Sequence, residues 1–367
     1  MPEHLSPTRH GARHGERPFA HVAGTGSMLR LALLNFLLNV LTLSLWRFWA
    51  KTRVRRLLWS GTAAWGDHAE YTGRGGELFL GFVVVMVSVF MPILVALTAA
   101  QMAVEAGNPW GNAFVLLIQA VAVFLAFAGL YRARRYQLSR TLWRGIRAGQ
   151  DGEAWRYGLM VLGCGLVNVL SLGWTWPWTE MTLARYRLGN TRFGDERFVC
   201  TARARGLYRR FAVMWGVAAL VLCLPLVTVL GLYLSGDGIL ESAEPALLFI
   251  IGLLLAGGVV LVLALPYAWY RAAVLRQLVA ATRFAGTTFH LDARTAPLLR
   301  LGLGNWLIGV LSLGILRPWA ALREFRFVCA NLSADCEPDW SSVRQSAAAA
   351  PRLGEGLAAV FDGAGEF

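Results

Sequence analysis

Four stretches of this 367-residue chain, 78–104, 110–131, 211–236 and 245–270, contain no Asp, Glu, Lys or Arg. Each exceeds the roughly 20 apolar residues that carry a helix across a bilayer. One such run fits the core of a large soluble domain; four do not. A hydrophobic content of 56% and a mean hydropathy of +0.49 agree with a membrane chain.

A shorter pattern recurs between these runs. Residues 39–56 pass from an apolar run through an aromatic knot ending at Trp49 into a basic helix with Arg53, Arg55 and Arg56. Residues 168–187 and 305–326 follow the same plan, with Trp178 and Trp319 in the place of Trp49. The spacings, 129 and 141 residues, are too long for a solenoid and suit repeated membrane modules. Hairpin signatures lie between: a Gly-Asp turn within 62–73, another within 191–200, a further version at 282–291 and a truncated one at 141–147.

The expected fold is an all-α polytopic membrane protein with internal repeats and short cytoplasmic β-hairpins between helices. It has four long spans and three shorter segments that either re-enter or span. Residues 1–18 read as a disordered tail, 19–147 as a first membrane repeat, 148–297 as a second, 298–333 as a partial third, and 334–367 as a second disordered tail. The hairpins are expected to pack together as a cytoplasmic layer.

Charge sets the expected orientation. The net charge of +13 is almost wholly arginine, Lys51 being the single lysine. These arginines flank apolar segments, so the expected partner is anionic membrane lipid and not nucleic acid. No Lys or Arg lies in 75–131 or 211–270, and the loops 101–109 and 235–244 carry only acids: Glu105, Asp237, Glu241 and Glu244. Both loops should face outward, with the two tails and the hairpins cytoplasmic. Arg30 and Arg47, Arg156 and Arg185, and Arg300 and Arg317 bracket the three motif segments with positive charge at both ends. The first and third segments reach only about 24 Å at 1.5 Å per residue, short of about 30 Å of hydrocarbon, which favours re-entry. The second is longer and is able to span. Seven full spans is the alternative.

Candidate functional residues are few. Asn35, Asn39, Asn168 and Asn305 fall in the apolar motif segments, either along a solute path or in interhelical hydrogen bonds. Trp49, Arg53, Arg56, Trp178, Arg185, Trp319 and Arg323 form a candidate lipid-facing belt. Pro92, Pro225 and Pro266 are placed to kink long helices. No Walker, His-Glu-x-x-His or Gly-x-Ser-x-Gly signature is present, and Asp67, His68 and Glu70 read as solvated turn residues. His4, His10 and His14 match no compact metal site, and the five cysteines form no Cys-x-x-Cys pair. The chain is expected to lack catalytic, cofactor and metal sites. Oligomeric state is not legible.

Three stretches carry a family likeness: Thr42-Leu43-Ser44-Leu45 leading to Phe48-Trp49-Ala50-Lys51-x-Arg53; Trp65-Gly66-Asp67-His68 leading to Tyr71-x-Gly73 and Glu77-Leu78-Phe79; and the run from Tyr136 to Arg147. Over roughly 19–332 the chain resembles the YjgN family of uncharacterised bacterial inner-membrane proteins. The third copy departs from the pattern, with NLSADCEPDW where a hairpin would follow Trp319. The resemblance implies a multi-pass inner-membrane location and no particular activity. Two functions are therefore expected on physical grounds: a transporter or channel-like protein for an unidentified solute, or a membrane-organising protein that binds anionic lipid.

Overall fold

The computed structural model describes residues 18–235 and 244–347. His4, His10, His14, Asp237 and Glu241 lie outside the described residues, as does 348–367. Strand β1 (Phe19–His21) leads into helix α1 (Thr25–Leu41) and, after a tight turn, α2 (Arg47–Ser60). A hairpin, β2 (Thr62–Ala64) and β3 (Asp67–Tyr71), precedes α3 (Gly75–Val85), which runs through a π turn at Met86–Phe90 into α4 (Met91–Glu105). Helix α5 (Gly111–Ser139) returns to a second hairpin, β4 (Thr141–Trp143) and β5 (Ile146–Gln150). Then come α6 (Ala154–Leu170), α7 (Trp176–Gly189) and the short strands β6 (Thr191–Phe193), β7 (Glu196–Arg197) and β8 (Val199–Cys200). The remainder is α8 (Tyr208–Ser235), α9 (Pro245–Ala280), the hairpin β9 (Thr282–Phe284) and β10 (Thr287–Leu291), α10 (Thr295–Leu311), α11 (Arg317–Asn331) and β11 (Leu332–Ala334).

The recurring Leu-Ser motif is a helix stop. Leu43 and Ser44, Leu172 and Gly173, and Leu313 and Gly314 all take positive φ just beyond α1, α6 and α10. The amides of Ser44, Gly173 and Gly314 donate five residues back, to the carbonyls of Asn39, Asn168 and Gly309, at 2.6–2.8 Å. This is the left-handed closure that satisfies orphan carbonyls at a helix end. A hydroxyl reinforces it. Thr42 Oγ1 donates to Leu38 O and accepts from the Trp46 amide, while Ser312 Oγ donates to Ile308 O and accepts from the Leu316 amide. The β-hairpins use equally local chemistry. Trp65-Gly66, Arg144-Gly145 and Ala285-Gly286 each place two successive residues at positive φ, the tight turn whose twist matches paired strands.

Strand pairing organises everything else. β1 to β7 form one antiparallel sheet in chain order, and β8 to β11 a second. Each helix pair leaves one strand and returns to its neighbour. His21 pairs with Thr62 across α1–α2, Tyr71 with Thr141 across α3–α5, and Gln150 with Thr191 across α6–α7. Cys200 pairs with Thr282 across α8–α9, and Leu291 with Leu332 across α10–α11. All five helical hairpins, alternating short and long, therefore start and finish at the same edge of the sheets. The circuit closes through α11, which packs on α1 and β1: Arg326 donates to Ala23 O at 2.6 Å and Thr25 Oγ1 at 2.9 Å.

Several expectations need correction. The fold is not all-α: the expected β-hairpins join into seven- and four-stranded antiparallel sheets, because helix pairs return each chain end to pairing distance. The stretch at 141–147 is not truncated, since β5 extends to Gln150. The second motif helix is not longer than the others; α1, α6 and α10 each have 17 residues, because the same stop ends all three. Residues 334–347 are not a loose tail. β11 pairs with β10, and Pro338 and Val343 are buried. Among the described residues three helices are long and apolar enough to cross a membrane, Gly75–Glu105, Gly111–Ser139 and Ile250–Ala280. α8 carries the apolar run that begins at Phe211.

Candidate functional site

The candidate asparagines turn inward on their own helical hairpins. Asn35, 5% exposed, accepts from Trp46 Nε1 at 3.3 Å. Asn168 donates to Thr179 Oγ1 at 3.1 Å and accepts from Thr175 Oγ1 at 2.8 Å. Asn305 donates to Glu324 Oε1 at 2.9 Å and accepts from Arg323 Nη1 at 2.8 Å. Each bond ties a short helix to the following helix or to the residue that opens it. Asn39 is half-buried, and its Oδ1 has no hydrogen-bond partner among the described residues.

The belt residues divide. Trp49 stacks on Trp46 with ring centroids 5.8 Å apart and packs against Phe79 of α3, whereas Trp178 remains exposed. Trp319 joins the core shared by α1, α2 and α11, with Arg323 5.9 Å above its ring. Arg185 is exposed and reaches Thr182. Arg53 lies over the Trp46 ring at 4.8 Å, and Arg56 donates to Gly73 O at 2.8 Å; both are exposed. Arg55 is different. It is 2% exposed and donates to Tyr71 Oη at 3.1 Å, fixing α2 to β3. Arg53 and Arg56 border a recess of about 650 Å³ between α1, α2 and β3, with Ser27, Ser60, Thr72, Leu31 and the carboxylate of Glu70 on its other sides. Two arginines against one glutamate leave the recess with a net positive charge beside several hydroxyls and an apolar wall.

A second cavity, of about 500 Å³, is lined by residues of both sheets. Its inner end is formed by Leu138, Leu188 and Leu278, near the C-terminal ends of α5, α7 and α9. Its mouth is aromatic. Trp340 touches Trp65, Trp143, Phe193 and Phe284, one ring from each β-hairpin, at centroid distances of 4.6–6.3 Å. The lining is almost wholly apolar. Arg192 on its wall is neutralised by Asp151 at 3.0 Å and also donates to Gly194 O at 3.0 Å.

The segment carrying Trp340 crosses this mouth as a strap. Asp335 bonds β10 through Thr288 and sits 3.1 Å from His290 Nε2. At the other end the Arg344 amide donates to Asp195 Oδ1 at 2.7 Å, and the Arg147 amide to Gln345 Oε1 at 2.9 Å. A Cβ at Gly194 would collide with the Arg344 carbonyl, so glycine is required there for contact as well as conformation. Sequence reading missed the strap because its Ala- and Gly-rich continuation masks one Pro and one Trp. The signal available was Trp340 itself, a costly residue for a solvated tail. Asp67, His68 and Glu70 do not converge: Asp67 pairs with Arg144, while His68 and Glu70 are exposed.

Long apolar helices rising in pairs from one edge of two antiparallel sheets define a multi-helical membrane protein. A family described as bacterial protein of unknown function, DUF898, matches residues 16–360, and the chain belongs to it. The chain is also 30% identical over 137 residues to inner membrane protein YjgN of Salmonella typhimurium. That match covers 36% of this chain and 31% of the relative, so the chain spans about a third of that protein. Both findings agree with the resemblance read from 42–53, 65–79 and 136–147. No solved structure matches.

Proposed function

We propose that this is an inner-membrane protein that binds anionic lipid at the cytoplasmic leaflet. In this reading the two long helix pairs span and the three short pairs are copies of one unit that enters from the cytoplasmic side and leaves on it. A helix of 17 residues covers about 25 Å at 1.5 Å per residue, less than the hydrocarbon core. Its return to the adjacent strand supports re-entry. The arginine-rich edge and the sheets then lie in the cytoplasm, as positive charge favours.

The observation that carries the lipid assignment is the recess holding Arg53 and Arg56 beside Leu31. It sits near the sheet end of α1–α2, at headgroup depth in this arrangement. The protein acts here without chemistry, as a lipid-binding or membrane-organising module. Arg53→Gln with Arg56→Gln should weaken phosphatidylglycerol retention by about 2 kcal/mol, at about 1 kcal/mol per arginine, or roughly thirty-fold. Lipid retention in detergent by native mass spectrometry measures this; unchanged retention rejects the assignment.

A transport role is the second reading. It draws on the π turn at Met86–Phe90 directly before Pro92, a break that lets α3–α4 bend. Flux of a solute into liposomes, abolished by straightening this break, would favour transport over lipid binding.

A further inference from the structure

We propose that the cavity lined by both sheets binds one aliphatic chain bearing an anionic head, and that the strap closes its mouth as a built-in cover. The inference uses residues separate from Arg53 and Arg56, so either assignment can fail alone. The cavity volume, about 500 Å³, lies within the roughly 300–1,000 Å³ of small-ligand sites. Its wall offers a bound molecule almost no free polar group, because Thr282 Oγ1 is spent on Leu278 O and Arg192 on Asp151 and Gly194. A polar ligand would be desolvated there without compensation. A hydrocarbon chain would not.

The strap shows where the head belongs. Trp340 Nε1 donates to Glu337 Oε1 at 2.7 Å, joining an apolar ring and a carboxylate in one unit. The ring stands in the cavity mouth, and the carboxylate lies 3.9 Å from Arg144 Nη1, on a guanidinium whose Nε is already paired with Asp67 and whose Nη1 points to Glu337. The Arg144 guanidinium is itself held over Trp143 at 4.4 Å and Trp340 at 5.6 Å. Apolar group inward and carboxylate on an arginine at the rim is the layout of a fatty-acid-like ligand. The strap's hydrogen bonds to the sheets are at its ends, through Asp335 and Arg344, while its middle is held by the Trp340 ring contacts and the Glu337 ion pair, so Trp340 and Glu337 leave together when the middle lifts.

The chain has two possible sources, a free fatty acid or the acyl tail of a membrane lipid. Full-length protein in nanodiscs of zwitterionic lipid is irradiated with palmitate carrying a terminal diazirine, or with phosphatidylglycerol carrying the same labelled chain. Adducts are mapped by mass spectrometry. Labelling of the cavity segments 138–148, 188–198 and 278–289 is expected from one probe or both, and the probe that labels identifies the source. Opening the cover raises the competent fraction, so Trp340→Ala should increase cavity labelling roughly three- to tenfold. Glu337→Gln, which leaves the aromatic cluster intact, should increase it in the same direction and serves if Trp340→Ala does not fold. Ala148→Trp, filling the cavity, should abolish it. Adducts confined to the membrane-facing helices with both probes, unmoved by Glu337→Gln, would overturn the proposal.

Discussion

Asn168 and Asn39 sit at matching positions in the first two short helices, yet their surroundings predict opposite responses to the same change. Asn168 makes side-chain hydrogen bonds to Thr179 of α7 and to Thr175 just before it, and Asn168→Leu should cost about 0.6–2 kcal/mol, the range for interhelical bonds in membranes. Asn39 keeps a carbonyl oxygen buried without a partner, so Asn39→Leu should be neutral or stabilising. Thermal unfolding in one detergent compares them, and equal losses would contradict this assignment of roles. His21 supplies a pH response. Burial, and then the nearby Arg326 charge, hold its pKa below the ordinary value, and Nδ1 meets Thr62 Oγ1 at 2.9 Å. The unfolded chain therefore binds the proton more readily, and stability present above about pH 6.5 should fall as pH drops through the lowered native value. His21→Asn should flatten the melting-temperature slope between about pH 6.5 and 5. At this scale the sequence revealed which polar residues sat in apolar runs. It placed Arg53 and Arg56 away from the apolar face but did not reveal that Arg55 is buried, since neighbouring arginines on a helix look alike until the strand carrying Tyr71 is placed.

The helical hairpin is the element that the sequence displayed best. The recurring motif marked its turn, because a stop of this kind is local and needs only a hydroxyl and residues tolerating positive φ. Ser44 occupies at φ +68° the place that Gly173 and Gly314 hold in the other two turns. A side chain in that region costs roughly 1–2 kcal/mol, so Ser44→Gly should stabilise the first hairpin by up to about 1 kcal/mol once the extra freedom of unfolded glycine is counted. Gly173→Ala should destabilise by a similar amount. Both are read by thermal melts with lipid present. If Ser44→Gly lowers stability, the first turn depends on its side chain rather than its backbone. The sheets were less legible for a physical reason. A strand of two to five residues carries little periodicity, and its partner lies beyond a helix pair, 70 residues away for Tyr71 and Thr141. Turn residues announced the hairpins, but nothing local announces that neighbouring hairpins pair.

Considered as a whole, the molecule couples its membrane arrangement to its strand pairing. A helix pair that begins and ends on adjacent strands crosses the membrane an even number of times. Seven spans would invert successive units and put the hairpins at Gly66-Asp67 and Gly194-Asp195 on opposite sides. One antiparallel sheet holds both hairpins, linked through β4 and β5, and a bilayer cannot divide it without stripping water from its edges. Arg53, Arg56 and Arg74 near the first hairpin, and Arg192, Arg197, Arg203 and Arg205 near the other, bias both toward the cytoplasm. In the proposed arrangement the turn after α4, with Glu105 at its start, would lie outside, since it is at the far end of a long pair. Single cysteines at Asp67, Asp195 and Glu105 in a background lacking the native five test all three positions. A membrane-impermeant thiol reagent applied to intact spheroplasts should label the Glu105 site alone. The Asp67 and Asp195 sites should react only after the membrane is opened. The strap must be allowed for, because Asp195 accepts from the Arg344 amide; a second probe at the exposed Gly66 and another at Glu196 give the same reading without that contact. External labelling at either hairpin would mean that the short pairs span and that the sheet does not form in the membrane-inserted protein.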